Sequence, residues 1–215
     1  NVNTLADFDK TGTRELLASD YIYQIKRMAH PRIHSPIVGL MEKYILGLDK
    51  FSVILKNIFK TKSDKEFLNL NDYTLPGAKL IDKYTFEIVL KEKYPQFLYW
   101  LSMSFFSPMP WEADLFYSQE GLAEKNISLD WYPIGTGPFM LTENNPNRRM
   151  VLERNPNFRG ELFPATGEET DINMGLLEDA GNEMPFIDKA IYSLEKESIP
   201  AWNKFLQGYY DTSGI

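Results

Sequence analysis

The chain has 215 residues, 43% hydrophobic and 25% charged, proportions of an ordinary globular protein with room for one large or two small domains. Its net charge of −7 and pI of about 5.0 exclude a role built on counterion release from nucleic acid. The absence of cysteine excludes disulfides, zinc–thiolate centres and thiol nucleophiles, and no apolar run approaches the roughly 20 residues of a membrane span.

Residues 1–13 carry no periodicity and read as an irregular lead-in, with no signal-like segment after Asn1. A chain that opens without Met is expected to be a mature form or a cut piece. From Ala18 to Ala29, Tyr21, Ile25 and Met28 recur at helical spacing, widened by Ile22 and Ala29, and Pro31 stops the helix. A second helix is expected over Val38–Leu46, ending near Gly47, and a third over Phe51–Phe59. Lys79–Ile81 and Thr85–Leu90 read as strands about a tight turn at Asp82-Lys83. Pro95 opens a short aromatic helix, "QFLYWLSMSF", broken by Pro108 and Pro110.

From Pro138 the pattern becomes strand-rich. "PFMLTE" and "RMVLER", joined by the Asn-rich "NNPNRR", predict an antiparallel hairpin of 138–143 with 149–154. The stretch Gly160–Asp188 carries eight carboxylates and no Lys or Arg, and reads as a solvated loop; a cation site is the lesser reading. Ala190–Leu194 is another strand. Pro200 begins a helix with Trp202, Phe205 and Leu206 on one face, closed by Gly208, and Phe139 and Leu141 are its expected partners. The change of pattern places a domain boundary near 130, giving 1–130, helices with a small hairpin, and 131–215, α/β.

Gly135-Thr136-Gly137 raises the possibility of a phosphate loop. The Walker pattern with its lysine is absent, and the second glycine is followed by Pro138 and a strand rather than by the helix whose N-terminus would face a phosphate. The turn is expected instead to let the chain pass close to another backbone, with Gly137 at positive φ or against a neighbour. His30 and His34 have the i, i+4 spacing of metal ligands, but Pro31 lies between them and no third ligand is in sight. No G-x-S-x-G elbow is present, and acidic pairs such as Glu168-Glu169 fall in the polar stretch. Tyr94, Phe97, Tyr99, Trp100, Phe105, Phe106 and Trp111 form an aromatic cluster, mostly core, with some rings available to a ligand cleft. No catalytic constellation emerges.

Four stretches, in order, resemble the family 5 extracellular solute-binding proteins, the dipeptide, oligopeptide and nickel receptors of bacterial ABC importers. "LLASDYIYQIKRMAHP" is similar to that family's T-A-x-D-φ-φ-Y-S-φ-x-R-x-x-D-P helix. "GAKLIDKYTFEIVLKEKYPQFLYWLSMSFFSPMPWEA" resembles its hairpin, P-x-F helix and S-P-φ-P. "PIGTGPFML" with "VLERNPNF" resembles the φ-G-T-G-P-Y signature and L-x-R-N-P-x-Y strand end, and "IDKAIYSLEKESIPAWNKFLQGYYDTSGI" the strand and helix ending in G-x-φ-D. The chain departs from the pattern at Leu17, in place of a capping Thr, at His30, in place of Asp, and in the length of the acidic stretch.

The resemblance implies an α+β or mixed α/β fold, part of a two-lobed periplasmic-binding-protein architecture, with 1–130 as accessory domain and 131–215 as part of a discontinuous lobe I. Since family members run to roughly twice this length or more, it implies an internal fragment. The implied function is non-enzymatic: capture of a peptide or similar small solute between two lobes and delivery to an ABC importer permease. No cofactor or metal and no nucleic acid is implied, the location is periplasmic or extracytoplasmic, and any membrane contact runs through the permease or an N-terminal anchor outside this segment. Ser35, Pro36 and Ile37 align with a loop that faces the ligand, and Thr212, Ser213 and Gly214 with a segment running along the cleft; Gly135, Thr136, Gly137 and Pro138 are assigned to architecture. The alternatives are a hydrolase or transferase domain, which needs a pocket with strongly perturbed titratable groups, and a structural or protein-interaction domain without ligand.

Overall fold

The computed structural model describes residues 13–61 and 67–213, so the expected lead-in at 1–13 lies almost wholly outside the described residues. The chain divides into two units, Asn1–Ile127 and Ser128–Ile215.

In the first unit, α1 (Ala18–Arg27) buries Ala18, Ile22, Tyr23 and Ile25, and the turn after it buries Met28 and Ala29. Leu17, the N-cap residue, has no side-chain acceptor, so one half of a capping box is made: the Asp20 carboxylate accepts the Leu17 N–H at 2.9 Å. Asp20, 3% exposed, also receives both Arg14 guanidinium NH groups at 2.7 and 2.9 Å, and Arg14 donates as well to Glu112 at 2.9 Å. Hydrogen bonding to Asp20 foremost, then to Glu112, holds the Arg14 pKa above its ordinary range against the opposing effect of burial. A buried carboxylate with this many donors is satisfied rather than costly.

The second helix, α2 (Val38–Tyr44), stops short of Leu46 because the chain turns to strand pairing: Ile45 bridges Leu90, and the Leu46 N–H donates to the Val89 carbonyl at 2.9 Å. Helix α3 (Leu48–Thr61) extends beyond the expected Phe51–Phe59 at both ends. Strands β1 (Ala78–Leu80) and β2 (Phe86–Ile88) pair antiparallel, with Ala78 opposite Ile88, and the loop between them is fixed by Asp82, whose carboxylate accepts the Tyr84 N–H at 2.8 Å.

Gly77 is a glycine that the fold requires for want of space. A Cβ there would stand 2.4 Å from the Leu46 carbonyl oxygen and 2.7 Å from Ile45 Cγ2, so the strand entry can approach the α2–α3 link only without a side chain. Helix α4 (Phe97–Leu101) is shorter than the expected aromatic helix and gives way to a 3₁₀ turn over Ser104–Phe106. Helix α5 (Trp111–Tyr117) was not expected from the sequence. It is tied to α1 by Tyr23, which donates to Asp114 at 2.7 Å, and by Arg27, 3.2 Å from the same carboxylate. Tyr23, Ile25, Met41, Ile45, Leu48, Leu55, Leu70 and Leu75 are the most deeply buried large side chains, and all belong to this unit.

The second unit is built on β3 (Phe139–Asn145), β4 (Arg149–Arg154) and β7 (Lys189–Ser193), antiparallel in the order β3-β4-β7. The predicted hairpin is present, with Phe139 opposite Arg154 and Leu141 opposite Leu152. Strand β3 runs on through Asn145, absorbing residues expected in the turn, and a bulge falls between Leu141 and Glu143. Leu141, Leu152 and Ala190 share one face of the sheet; Val151 and Ile191 share the other, beside the Glu143–Arg149 pair at 2.8 Å and the Glu153–Lys189 pair at 2.6 Å.

The acidic stretch is solvated, as expected, with its carboxylates exposed except for half-buried Asp171, but it is folded rather than a plain loop. Strands β5 (Glu161–Leu162) and β6 (Glu183–Met184) pair antiparallel, and α6 (Glu169–Asn173) lies between them. Periodicity missed it because each element spans only a few residues. Helix α7 (Ser198–Leu206) starts two residues before Pro200, which the first turn tolerates because its N–H needs no partner there. Its expected apolar face is largely open: Trp202 is 40% and Leu206 64% exposed, and the Trp202 ring lies against Phe205 on the same helix, centroids 5.4 Å apart.

The expectation for Gly137 is corrected. Neither Gly135 nor Gly137 has a positive φ, and a Cβ on either meets nothing within 4 Å. What holds this turn is Asn155: its side-chain amide donates to the Gly137 carbonyl at 2.9 Å, and its N–H to the Pro138 carbonyl at 2.8 Å. The turn is anchored by its carbonyls, not by a missing side chain.

Candidate functional site

The segment Ser35–Pro36–Ile37 lies in the first unit, between α1 and α2. Its course is set by two turns. In the first, over His30-Pro31-Arg32-Ile33, the Ile33 N–H donates to the His30 carbonyl at 2.9 Å, with Pro31 supplying its fixed φ at the second position. In the second, the Val38 N–H donates to the Ser35 carbonyl at 3.4 Å and α2 begins. Ile37 is 7% exposed, so its side chain belongs to the core; Pro36 is exposed and Ser35 half-buried. The surface this segment offers is therefore Pro36, the Ser35 side chain and backbone.

Thr212 and Ser213 lie in the second unit after α7, Thr212 exposed and Ser213 half-buried, and Gly214 lies outside the described residues. Gly208, at φ +78°, closes α7, with the Tyr209 N–H returning to the Lys204 carbonyl at 2.9 Å. The Glu195 carboxylate, just beyond β7, accepts from both Lys204 and the Tyr210 hydroxyl. Hydrogen bonding from Lys204 first and Tyr210 second holds Glu195 below the usual carboxylate range. This knot ties the segment leading to Thr212 to the end of β7.

Among the other perturbed groups of the described residues, Glu15 pairs with Lys83, Asp49 with Lys91 and Glu143 with Arg149, each carboxylate held below its ordinary range by that partner first. Lys26, buried, donates to the Leu70 carbonyl at 3.2 Å, and desolvation lowers its pKa, opposed by Asp72. Desolvation, reinforced by Asp114, raises that of Tyr23. A shallow recess of about 50 Å³ is lined by Tyr21, Ile25, Phe86, Leu101 and Phe106, with the Tyr21 and Phe86 rings stacked 5.1 Å apart. Apart from the Tyr21 hydroxyl it has no polar side chain. His30 stands just past the end of α1 and His34 in the following coil, so the two share no helical face. Among the described residues no three His, Cys, Asp or Glu side chains stand together as a metal site, and no helix is long and apolar enough to cross a membrane. The clamp of Asp20 and Glu112 on Arg14 escaped sequence reasoning; the only local signal was an acid at the third helical position, where a carboxylate reaches back to the cap.

The chain is 26% identical over 196 residues to the periplasmic oligopeptide-binding protein OppA of Salmonella typhimurium, covering 85% of this chain and 32% of the relative. It thus spans about a third of the length of the curated relatives it matches. The fold is similar to that of a periplasmic oligopeptide-binding protein from Borrelia burgdorferi, with TM-score 0.60 and 21% identity over 92% of this chain and 31% of the other. It is similar also to Haemophilus influenzae OppA, whose structure is in complex with RPPGFSPFR, with TM-score 0.58 and 14% identity over 92% and 30% of the two chains. The profile of the bacterial extracellular solute-binding proteins, family 5 Middle, matches residues 11–215. From residue 11 to its last residue, the mixed α/β chain is a stretch of a family 5 bacterial extracellular solute-binding protein, and it belongs to that family.

Proposed function

We propose that the chain is part of the substrate-binding component of a bacterial ABC importer, one that captures a peptide or similar small solute between two lobes and delivers it to a permease outside the cytoplasm. The observation that carries this reading is the family match over residues 11–215, together with relatives named as oligopeptide-binding proteins. The first unit serves as the accessory domain and the second as part of lobe I. Within the first unit Ser35 and Pro36 are the candidate ligand contacts, with Ile37 holding their loop from beneath; within the second unit, taken by itself, Thr212, Ser213 and Gly214 are the candidates. Backbone groups on such segments suit peptides of varied sequence, because main-chain hydrogen bonds do not read side chains. Capture follows hinge closure, with the closed state favoured by its greater affinity for ligand. The role is binding and handover, not bond cleavage.

The test is to purify the whole gene product, denature it and identify the released small molecules by mass spectrometry, then measure binding of synthetic peptides by calorimetry. Co-purifying peptides and saturable binding without turnover are expected. A purified protein that binds no peptide, or that consumes one, overturns the reading.

A further inference from the structure

We infer that the His30 imidazole is an acid-sensitive latch on the turn that delivers Ser35–Pro36–Ile37 to α2, holding that turn only while Nδ1 carries no proton. The Arg32 N–H donates to His30 Nδ1 at 3.2 Å. This contact defines the tautomer, because a nitrogen that accepts a hydrogen bond has its proton on the opposite ring nitrogen, here Nε2. His30 thereby plays the part that Asn or Asp plays in an Asx turn, its side chain receiving the N–H two residues on. An imidazole differs from those side chains in one respect: it loses its acceptor near neutral pH.

Protonation at Nδ1 has two consequences. It turns the acceptor into a donor that faces the Arg32 N–H, so the contact is lost. It also adds a cation beside Arg27 at the end of α1 and Arg32 on the turn itself, while among the described residues Asp114 of α5 is the carboxylate acting on the ring. Asp114 is already engaged by the Tyr23 hydroxyl at 2.7 Å and by Arg27 at 3.2 Å. The fourth neighbour is apolar: the Phe59 ring of α3 meets His30 edge-on at 5.7 Å, and its own face carries the Arg32 guanidinium at 4.6 Å. Burial first, then Arg32 and Arg27, holds the imidazole below its ordinary value, with Asp114 opposing. The open turn therefore binds the proton more readily than the closed one. The latch is fully made above the ordinary histidine value of 6.5 and is lost as pH falls below it toward the lowered value. Its relevance to ligand binding rests on the receptor reading, through the short chain from Ile33 to Ser35; the latch itself does not.

The experiment is amide hydrogen exchange by NMR at Arg32 and Ile33 between pH 7.5 and 5, corrected for the intrinsic rate. Protection at Arg32 is expected to fall on acidification, by up to about tenfold for each unit by which the fold lowers the imidazole. His30→Asn supplies a non-titrating oxygen to the same N–H, and its Arg32 protection should stay flat. His34→Gln, which alters the chain's other histidine, should leave the fall intact. A flat profile in the unaltered protein, or an unchanged fall in His30→Asn, overturns the latch. Should His30→Asn fail to fold, the imidazole ¹⁵N shifts of His34→Gln decide: an Nδ1–H tautomer at neutral pH, or titration at the ordinary value, overturns it equally. None of these readouts involves a peptide, so peptide binding that persists while the latch fails leaves the receptor reading in place.

Discussion

The two units close in opposite ways. The first has a continuous core in which Ile25, Leu48, Leu55 and Leu70 are at most 1% exposed, and its buried charges Asp20 and Lys26 each find partners. In the second, among the described residues, Val151 is the buried hydrophobic residue of the sheet, while Ile191 and Tyr192 are 55% and 61% exposed. These two neighbours point to opposite faces of β7, so the strand is open on both sides as well as along its edge, since the order β3-β4-β7 leaves β3 and β7 outermost. The difference teaches what each unit needs. Helices that pack on a hairpin complete a core among themselves, whereas a three-stranded sheet presents two faces and two edges and requires further polypeptide to cover them.

The sharpest way to test that contrast is to disturb the closed core of the first unit and the open strand of the second. Leu55→Ala empties a fully buried site and is expected to lower stability by about 3 kcal/mol in chemical denaturation, as large-to-small core changes do. Loss of less than about 1 kcal/mol would mean that the first unit's core is not closed. Gly77→Ala comes next. Its Cβ would be driven into the Leu46 backbone, which has no flexible end to yield, and a loss of about 2 kcal/mol is expected. A wild-type denaturation midpoint for this variant would remove the close approach of the β1 entry to the α2–α3 link.

In the second unit the expected effect is on association rather than on folding. The isolated 215-residue chain should self-associate through the open β7 edge, and Ile191→Lys should reduce that association in sedimentation velocity while shifting unfolding by no more than about 0.5 kcal/mol. A monomer at high concentration before substitution would show that this edge is already protected. The smallest effect belongs to Gly137→Ala. With open space at the Cβ position and no positive φ, a change within about 0.5 kcal/mol is expected. A larger loss would restore the requirement for glycine there, which the carbonyl anchoring by Asn155 makes unnecessary.

The two glycines show how far the fold was legible. In the sequence, Gly137 stands in a dense cluster of glycine and proline and invites a conformational explanation, while Gly77 is a lone residue ahead of a strand. Only the meeting of Gly77 with Leu46, across a loop and a helix, reveals which one lacks room for a side chain. The candidate site follows the same pattern. Ser35, Pro36, Ile37, Thr212, Ser213 and Gly214 came from motif alignment, which says where the chain runs and not which way a side chain turns; the burial of Ile37 is a packing outcome.

What the sequence determined by itself is what local chemistry controls. The apolar stripe of α1 and its stop before Pro31, the alternating strands of the β3–β4 hairpin and the ordered family motifs all depend on residues within a few positions of one another. The tertiary structure decided the rest. It ended α2 by drawing Ile45 and Leu46 into pairing with β2's continuation, folded the acidic stretch into β5, α6 and β6, and joined Arg14 to Glu112 across 98 residues. It also left α7 exposed where an amphipathic pattern had promised cover. Periodicity states that a face is apolar, because it records the spacing of side chains along one element. Which partner arrives on that face depends on chain closure over long separations, and no local pattern encodes that.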